Sequence, residues 1–206
     1  MPSARPKPAK RSSRRSRGEG TRERLLNAAV ELLEEGGYAA ASVAAITERG
    51  GVAAGALYRH FPSKAELFVE VFRTMAESEL AHLREASAVP GTAVDKLDAI
   101  VREFTSSSLS QPRLAWALGY EPVDPRVDAE RLAYRQTYRE RLAELLRRGI
   151  EAGELPEQDA ELTAASLIGA ISEGLVGPLS PVRGESVSTE ETIGAISAFC
   201  RRAVGA

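Results

Sequence analysis

The sequence predicts an all-α protein, with a small three-helix unit at the N-terminus followed by a larger helical body. Three observations carry that prediction. Apolar residues recur at three- and four-residue intervals in nearly every segment. The period-two, β-branched alternation of strands does not occur. Caps and breakers (Ser, Thr or Asp before a segment, Gly or Pro after it) divide the chain at helix-length intervals. The 206 residues are 43% hydrophobic, enough to bury a substantial core.

Residues 1–20 are rich in Pro, Ser and Arg without apolar periodicity, and are expected to be a disordered basic arm. A first helix is predicted over 21–35, where Leu25, Ala28, Ala29, Leu32 and Leu33 form one face, Thr21 caps and Gly36-Gly37 terminates. Ser42 opens a short helix holding Val43, Ala45 and Ile46, closed by Gly50-Gly51. A third short helix spans 53–61, and Pro62 stops it. Ser63-Lys64-Ala65-Glu66 is a capping box opening a fourth helix that reaches about Ala86. Beyond Pro90-Gly91, Val94, Leu97, Val101 and Phe104 mark a fifth helix, and Pro112 enters a sixth containing Leu114, Trp116 and Leu118. Glu121-Pro122-Val123-Asp124-Pro125 reads as a loop, followed by a long helix over 127–152. Asp159 opens the next, bounded by Pro178 and Pro181; residues 180–188 are loop-like, and a last helix reaches about Val204.

Segment 42–61 has the grammar of a helix-turn-helix: a capped short helix, a Gly-containing turn, then a second short helix. Ala45, Ile46, Val52 and Leu57 would form the wedge between the two helices, leaving the second free to enter a major groove about 12 Å wide. Such a pattern alone is weak. Its surroundings make it specific: Leu25-Leu26-Asn27-Ala28-Ala29, Leu32-Leu33-Glu34-Glu35-Gly36-Gly37-Tyr38, Ser42-Val43, Ile46, Gly51-Val52 and Leu57-Tyr58-Arg59-His60-Phe61 with Lys64. Over about residues 21–72 these resemble the tetracycline-repressor (TetR) family. The resemblance implies a helix-turn-helix DNA-binding domain over 21–68 and a helical ligand-binding and dimerisation domain over 69–206. It also implies a homodimer on a near-palindromic double-stranded DNA operator and a small-molecule effector.

By that resemblance Tyr58 and His60 lie in or beside the recognition helix and touch phosphate, as does Lys64 at the start of the fourth helix. Lys64 and Ser42 also stand at helix N-termini, whose free N–H groups favour phosphate. Arg59 is the candidate for reading base edges, since Arg pairs bidentately with guanine. Packing against the fourth helix is an equal expectation for His60. Ala53, Ala54 and Ala56 depart from the polar residues common in the family, and can at most touch a thymine methyl.

In the C-terminal half the helix over 159–176 is apolar almost all round, as expected of one covered on two sides. With Ile193, Ile196, Phe199 and Cys200 of the last helix it resembles the family's dimer interface, formed by the last two long helices. Trp116, Tyr120, Tyr134 and Tyr138 cluster on two neighbouring elements, with Phe104 and the polar Arg102 and Glu173 nearby in the pattern. They are the candidate effector contacts, although aromatic residues at helical spacing are more often core.

The net charge of −2 conceals an asymmetry: residues 1–20 hold seven of the 27 basic but one of the 29 acidic residues, +6 against −8 for the rest. Residues 21–70 carry five basic and seven acidic side chains, so the basic arm is expected to supply phosphate-neutralising charge. Two histidines and one cysteine cannot build a metal cluster by themselves, and no Gly-rich phosphate loop occurs, so neither enzyme nor cofactor is expected. No stretch approaches about 18 uninterrupted apolar residues, no apolar signal segment follows the basic N-terminus, and the lone Cys200 suits a reducing compartment. A cytoplasmic protein without membrane attachment is expected. The rival reading is a helical interaction module whose helix-turn-helix is degenerate, suggested by the alanines at 53, 54 and 56.

Overall fold

The computed structural model describes the backbone of residues 11–182 and 188–206, with side chains from Gly20 onward. It contains nine α-helices among the described residues: α1 (Arg11–Ala40), α2 (Val43–Arg49), α3 (Leu57–His60), α4 (Lys64–Ala86), α5 (Ala93–Ser110), α6 (Pro112–Gly119), α7 (Pro125–Glu151), α8 (Ala160–Leu179) and α9 (Thr189–Ala203). A 3-10 turn, Ala54–Ala56, leads into α3.

Two boundaries differ from expectation. Helix α1 starts at Arg11, so half of the arm expected to be disordered is helical; residues 1–10 lie outside the described residues. All three prolines of the arm precede position 11, and extending a formed helix needs only propagation through tolerant Ser and Arg positions. Helix α8 continues through Pro178, whose ring disturbs only the final turn because Leu179 is the last helical residue. The expected stop at Gly36-Gly37 is real: Gly37 has φ 68° and ψ −163°, and a single short turn follows it to Ala40.

Local chemistry accounts for the other ends. Ser42 Oγ accepts from Ala45 N, Ser63 Oγ from Glu66 N, and Asp159 from Leu162 N. Thr92 and Asp95 form a reciprocal capping box, while Pro112 and Pro125 occupy first turns, where their missing N–H is harmless.

Two cores result. The first gathers Leu25, Leu33, Ile46, Leu57, Leu67 and Val71, and takes in Leu114 and Ala117 of α6 and Val127 of α7. The second joins α5, α7, α8 and α9 around Leu97, Val101, Leu146, Leu167 and Leu175. Position 68/69, where the sequence suggests a domain division, falls inside the unbroken helix α4. By length and composition α8 is apolar enough to cross a membrane, with mean hydropathy 1.4. Here its Ala164, Leu167, Ile171 and Leu175 side fills the second core.

Candidate DNA-binding surface and effector cavity

The helix-turn-helix is built on a fully buried pair, Ile46 and Leu57, flanked by half-buried Ala45 and Val52. Gly51 makes the turn at φ 59°, a left-handed conformation that glycine adopts without strain. The wedge leaves Ala53, Ala54, Tyr58 and Arg59 exposed and His60 half-buried; Tyr58, at 59% exposure, is a large ring with no structural reason to face water. Ser42 is also exposed, but its backbone N–H bonds Ala40 O at 2.9 Å and its Oγ caps Ala45, so only the hydroxyl proton is free for a phosphate. Lys64 begins α4 with Nζ 5.3 Å from the Phe68 ring centroid, and partial burial draws its pKa below the ordinary lysine value.

Charge is thinner on this surface than the sequence count suggests. Arg22 pairs with Glu70, and Arg49 with Glu31 and Glu35, so two of the five basic side chains are already neutralised. Among the described residues Arg24, Arg59 and Lys64 have no carboxylate within ion-pair distance.

The second feature is a partly open cavity of about 1080 Å³ lined by α4, α5, α6, α7 and α8, just above the usual size of small-molecule sites. Helices α4 and α7 run parallel along it: Arg73 bonds Glu130, Glu77 accepts from Tyr134 and Glu79 from Tyr138. From Phe72 to Ser87, both lining residues, α4 follows the cavity for about 22 Å. Along α4, Phe72 lies toward the helix-turn-helix and Arg84 toward the opposite end; Leu118, Tyr120, Lys96 and Arg141 also line the cavity.

The structure separates the residues the sequence nominates for a ligand. Phe104, Tyr120, Tyr134 and Tyr138 line the cavity. Trp116 stands behind, its ring stacked on Tyr120 at 5.1 Å, while Tyr120 Oη donates to Ser172 O at 2.7 Å. Arg102 and Glu173 are not in the lining: Arg102 pairs with Glu190 on the outer face of α5, and Glu173 is exposed on α8. Their helix phases carry both away from the cavity, because the core-facing positions of those helices are Val101 and Thr105, and Ile171 and Leu175. Sequence reasoning missed Glu79, His82, Arg84, Lys96, Arg135 and Arg141, all in the lining. The available signal was Glu79 seven residues beyond Phe72, on the same helix face.

The two features meet at residues 118–121. Leu118, Gly119 and Tyr120 form the cavity floor with Arg131, whose guanidinium donates to Leu118 O (2.6 Å), Glu121 O (2.8 Å) and Ala117 O (2.8 Å). Glu121 reaches the other way: its carboxylate accepts from Tyr38 N of α1 at 2.9 Å and pairs with Arg113. Gly37 has φ +68°, a conformation that favours glycine, and a Cβ there would displace the ends of the Arg113 and Glu121 side chains.

Comparison with known proteins places these features. Residues 25–71 match the model described as bacterial regulatory proteins of the tetR family, and residues 90–173 the tetracyclin repressor-like C-terminal domain. The HTH-type transcriptional repressor KstR of Mycolicibacterium smegmatis is 34% identical over 97 residues, 47% of this chain and 48% of that protein. The chain thus spans about half the length of that relative. The fatty acid metabolism regulator protein of Bacillus subtilis is 26% identical over 152 residues, covering 72% and 78% of the two chains. In fold the chain is similar to FadR from Bacillus subtilis in complex with stearoyl-CoA, with TM-score 0.75 and 22% identity over 89% of this chain and 97% of that one. The chain belongs to the TetR family of transcriptional regulators.

Proposed function

We propose that this regulator is a cytoplasmic repressor that binds a near-palindromic operator as a homodimer and is released by an amphipathic, anionic effector of the long-chain acyl-CoA class. The observation that carries the reading is the shared turn 118–121, which is at once the floor of the cavity and the segment fastened to α1. A ligand that displaces the floor acts on the helix that anchors the helix-turn-helix. Opposition between effector and DNA then follows by linkage: each prefers a different conformation, so each weakens the other.

The lining supports an anion with an apolar tail. Six cationic side chains against four carboxylates line the cavity, and Arg84, Lys96, Arg135 and Arg141 have no carboxylate within ion-pair distance among the described residues. The stearoyl-CoA held by the structurally similar Bacillus subtilis FadR fits that chemistry. The proposed roles at the DNA remain those of Ser42, Ala53, Ala54, Tyr58, Arg59, His60 and Lys64, and in the cavity those of Phe104, Tyr120, Tyr134 and Tyr138. Dimerisation is assigned to α8 and α9, where Leu162 and Phe199 are 65% and 47% exposed in the single chain, and open space surrounds Gly169.

Fluorescence anisotropy with near-palindromic DNA from beside the gene tests the reading. Binding is expected, with release on adding stearoyl-CoA; no binding to such DNA would favour the degenerate-module reading instead. The same assay addresses the arm. Deleting residues 2–18 removes seven basic residues per chain and should weaken binding and flatten the slope of log K against log salt. An unchanged slope would show that the arm makes no phosphate contact.

A further inference from the structure

Glu79 interrupts the cavity wall. It lies five residues along α4 from Arg84 and seven from Phe72, about 7.5 Å and about 10 Å along the helix axis from those two lining residues. Its carboxylate accepts from Tyr138 Oη at 2.8 Å, and no other hydrogen-bond partner of that carboxyl is present among the described residues. A carboxyl group has room for further hydrogen bonds. Burial raises its pKa above the ordinary carboxylate value and Glu103 of α5 pushes the same way, while the Tyr138 hydrogen bond and His82 oppose them. Tyr138, also desolvated and facing Glu79, keeps its proton.

We infer that Glu79 and Tyr138 form a specificity subsite for a hydroxyl group carried on the apolar portion of the effector. The inference rests on the anionic acyl reading above and adds a polar group at a defined depth. Two alternatives fit less well. A plain hydrocarbon passing Glu79 would strip water from the carboxyl and offer no hydrogen bond in return. An ammonium group would meet a cavity already carrying Arg84, Lys96, Arg135 and Arg141 without paired carboxylates. A hydroxyl both donates and accepts, matches either protonation state of the carboxyl and adds no charge. A site built to hydrogen-bond a hydroxyl discriminates far more sharply against its absence than an apolar pocket discriminates between chains.

The test is isothermal titration of the full-length protein with stearoyl-CoA and with C18 acyl-CoAs bearing one hydroxyl at C3, C8 or C12. The wild type is expected to bind at least one hydroxylated isomer about tenfold tighter than stearoyl-CoA. Glu79→Leu should erase that preference, so that the hydroxylated and plain C18 acyl-CoAs bind alike. Glu79→Gln and Tyr138→Phe, which preserve shape, should reduce the preference without erasing it, and both serve if the Leu variant does not fold. Equal affinities across the panel, or a preference that survives undiminished in the folded variants, overturns the subsite and leaves the acyl reading intact. Failure of every acyl-CoA to bind, or tighter binding of octadecylamine, overturns both.

Discussion

Arg131→Ala is expected to lower folding stability by about 3 kcal/mol and, where the variant remains folded, to leave effector binding measurable while abolishing effector-driven DNA release. The stability loss follows from three half-buried carbonyls, at Ala117, Leu118 and Glu121, that would lose their charged donor at about 1 kcal/mol each. For a chain of this length that is a fall in Tm of about 6–12 °C, read by thermal denaturation. The functional loss follows from position. Arg131 holds the end of α6 against α7, and the neighbouring Glu121 is bonded to the Tyr38 amide on α1. Without the guanidinium the floor can move under a bound ligand without carrying α1 along. A double-mutant cycle of Arg131→Ala with Glu121→Gln should then be non-additive for release, since both residues act through one turn. Full release by the Arg131→Ala protein would place the coupling elsewhere, in α4 or in the residues of α6 and α7 that pack into the first core.

Arg59→Ala is expected to weaken operator binding by about 1–3 kcal/mol per half-site and to relax base preference there, without altering Tm beyond about 1 °C. Arg59 is exposed, carries no ion pair among the described residues and stands on α3 beside alanines that offer no hydrogen bonds. Sequence reading through side chains therefore falls largely on this one residue. Lys64→Ala should behave differently, weakening all sequences alike and reducing the salt slope, because a phosphate contact carries no base information. If Arg59→Ala lowers affinity uniformly for every base at every position, specificity comes from DNA shape instead.

The helix-turn-helix was legible because its constraints are local. Ser42 and Ser63 cap within three residues, Gly51 turns, Pro62 stops, and Ile46 and Leu57 close the wedge, all within one short stretch. The cavity was legible only in part. Tyr134 and Tyr138 share a face that spacing alone reveals, but Arg102 and Val101 differ by one helical step that sends one outward and the other into the core. Which of two adjacent faces meets a neighbour depends on how α5 lies on α7, α8 and α9, and no single segment records that. Glu79, Lys96 and Arg141 come from three helices, so their convergence is a property of the packing. The start of α1 was misjudged for the opposite reason: composition argued against order where an adjoining helix simply continued.

The parallel course of α4 and α7 has an electrostatic consequence. Each helix carries a macrodipole, partly positive at its first turn and partly negative at its last. Running the same way, the two helices aim both positive ends toward the helix-turn-helix and both negative ends away from it. Arg84 in the last turn of α4 offsets the field at its own C-terminus, and Arg141 and Lys96 add positive charge to the lining, while Arg148 in the last turn of α7 is paired with Glu144. The two dipoles by themselves disfavour a negative group at the C-terminal ends of these helices, and Arg84, Lys96 and Arg141 counter that disfavour.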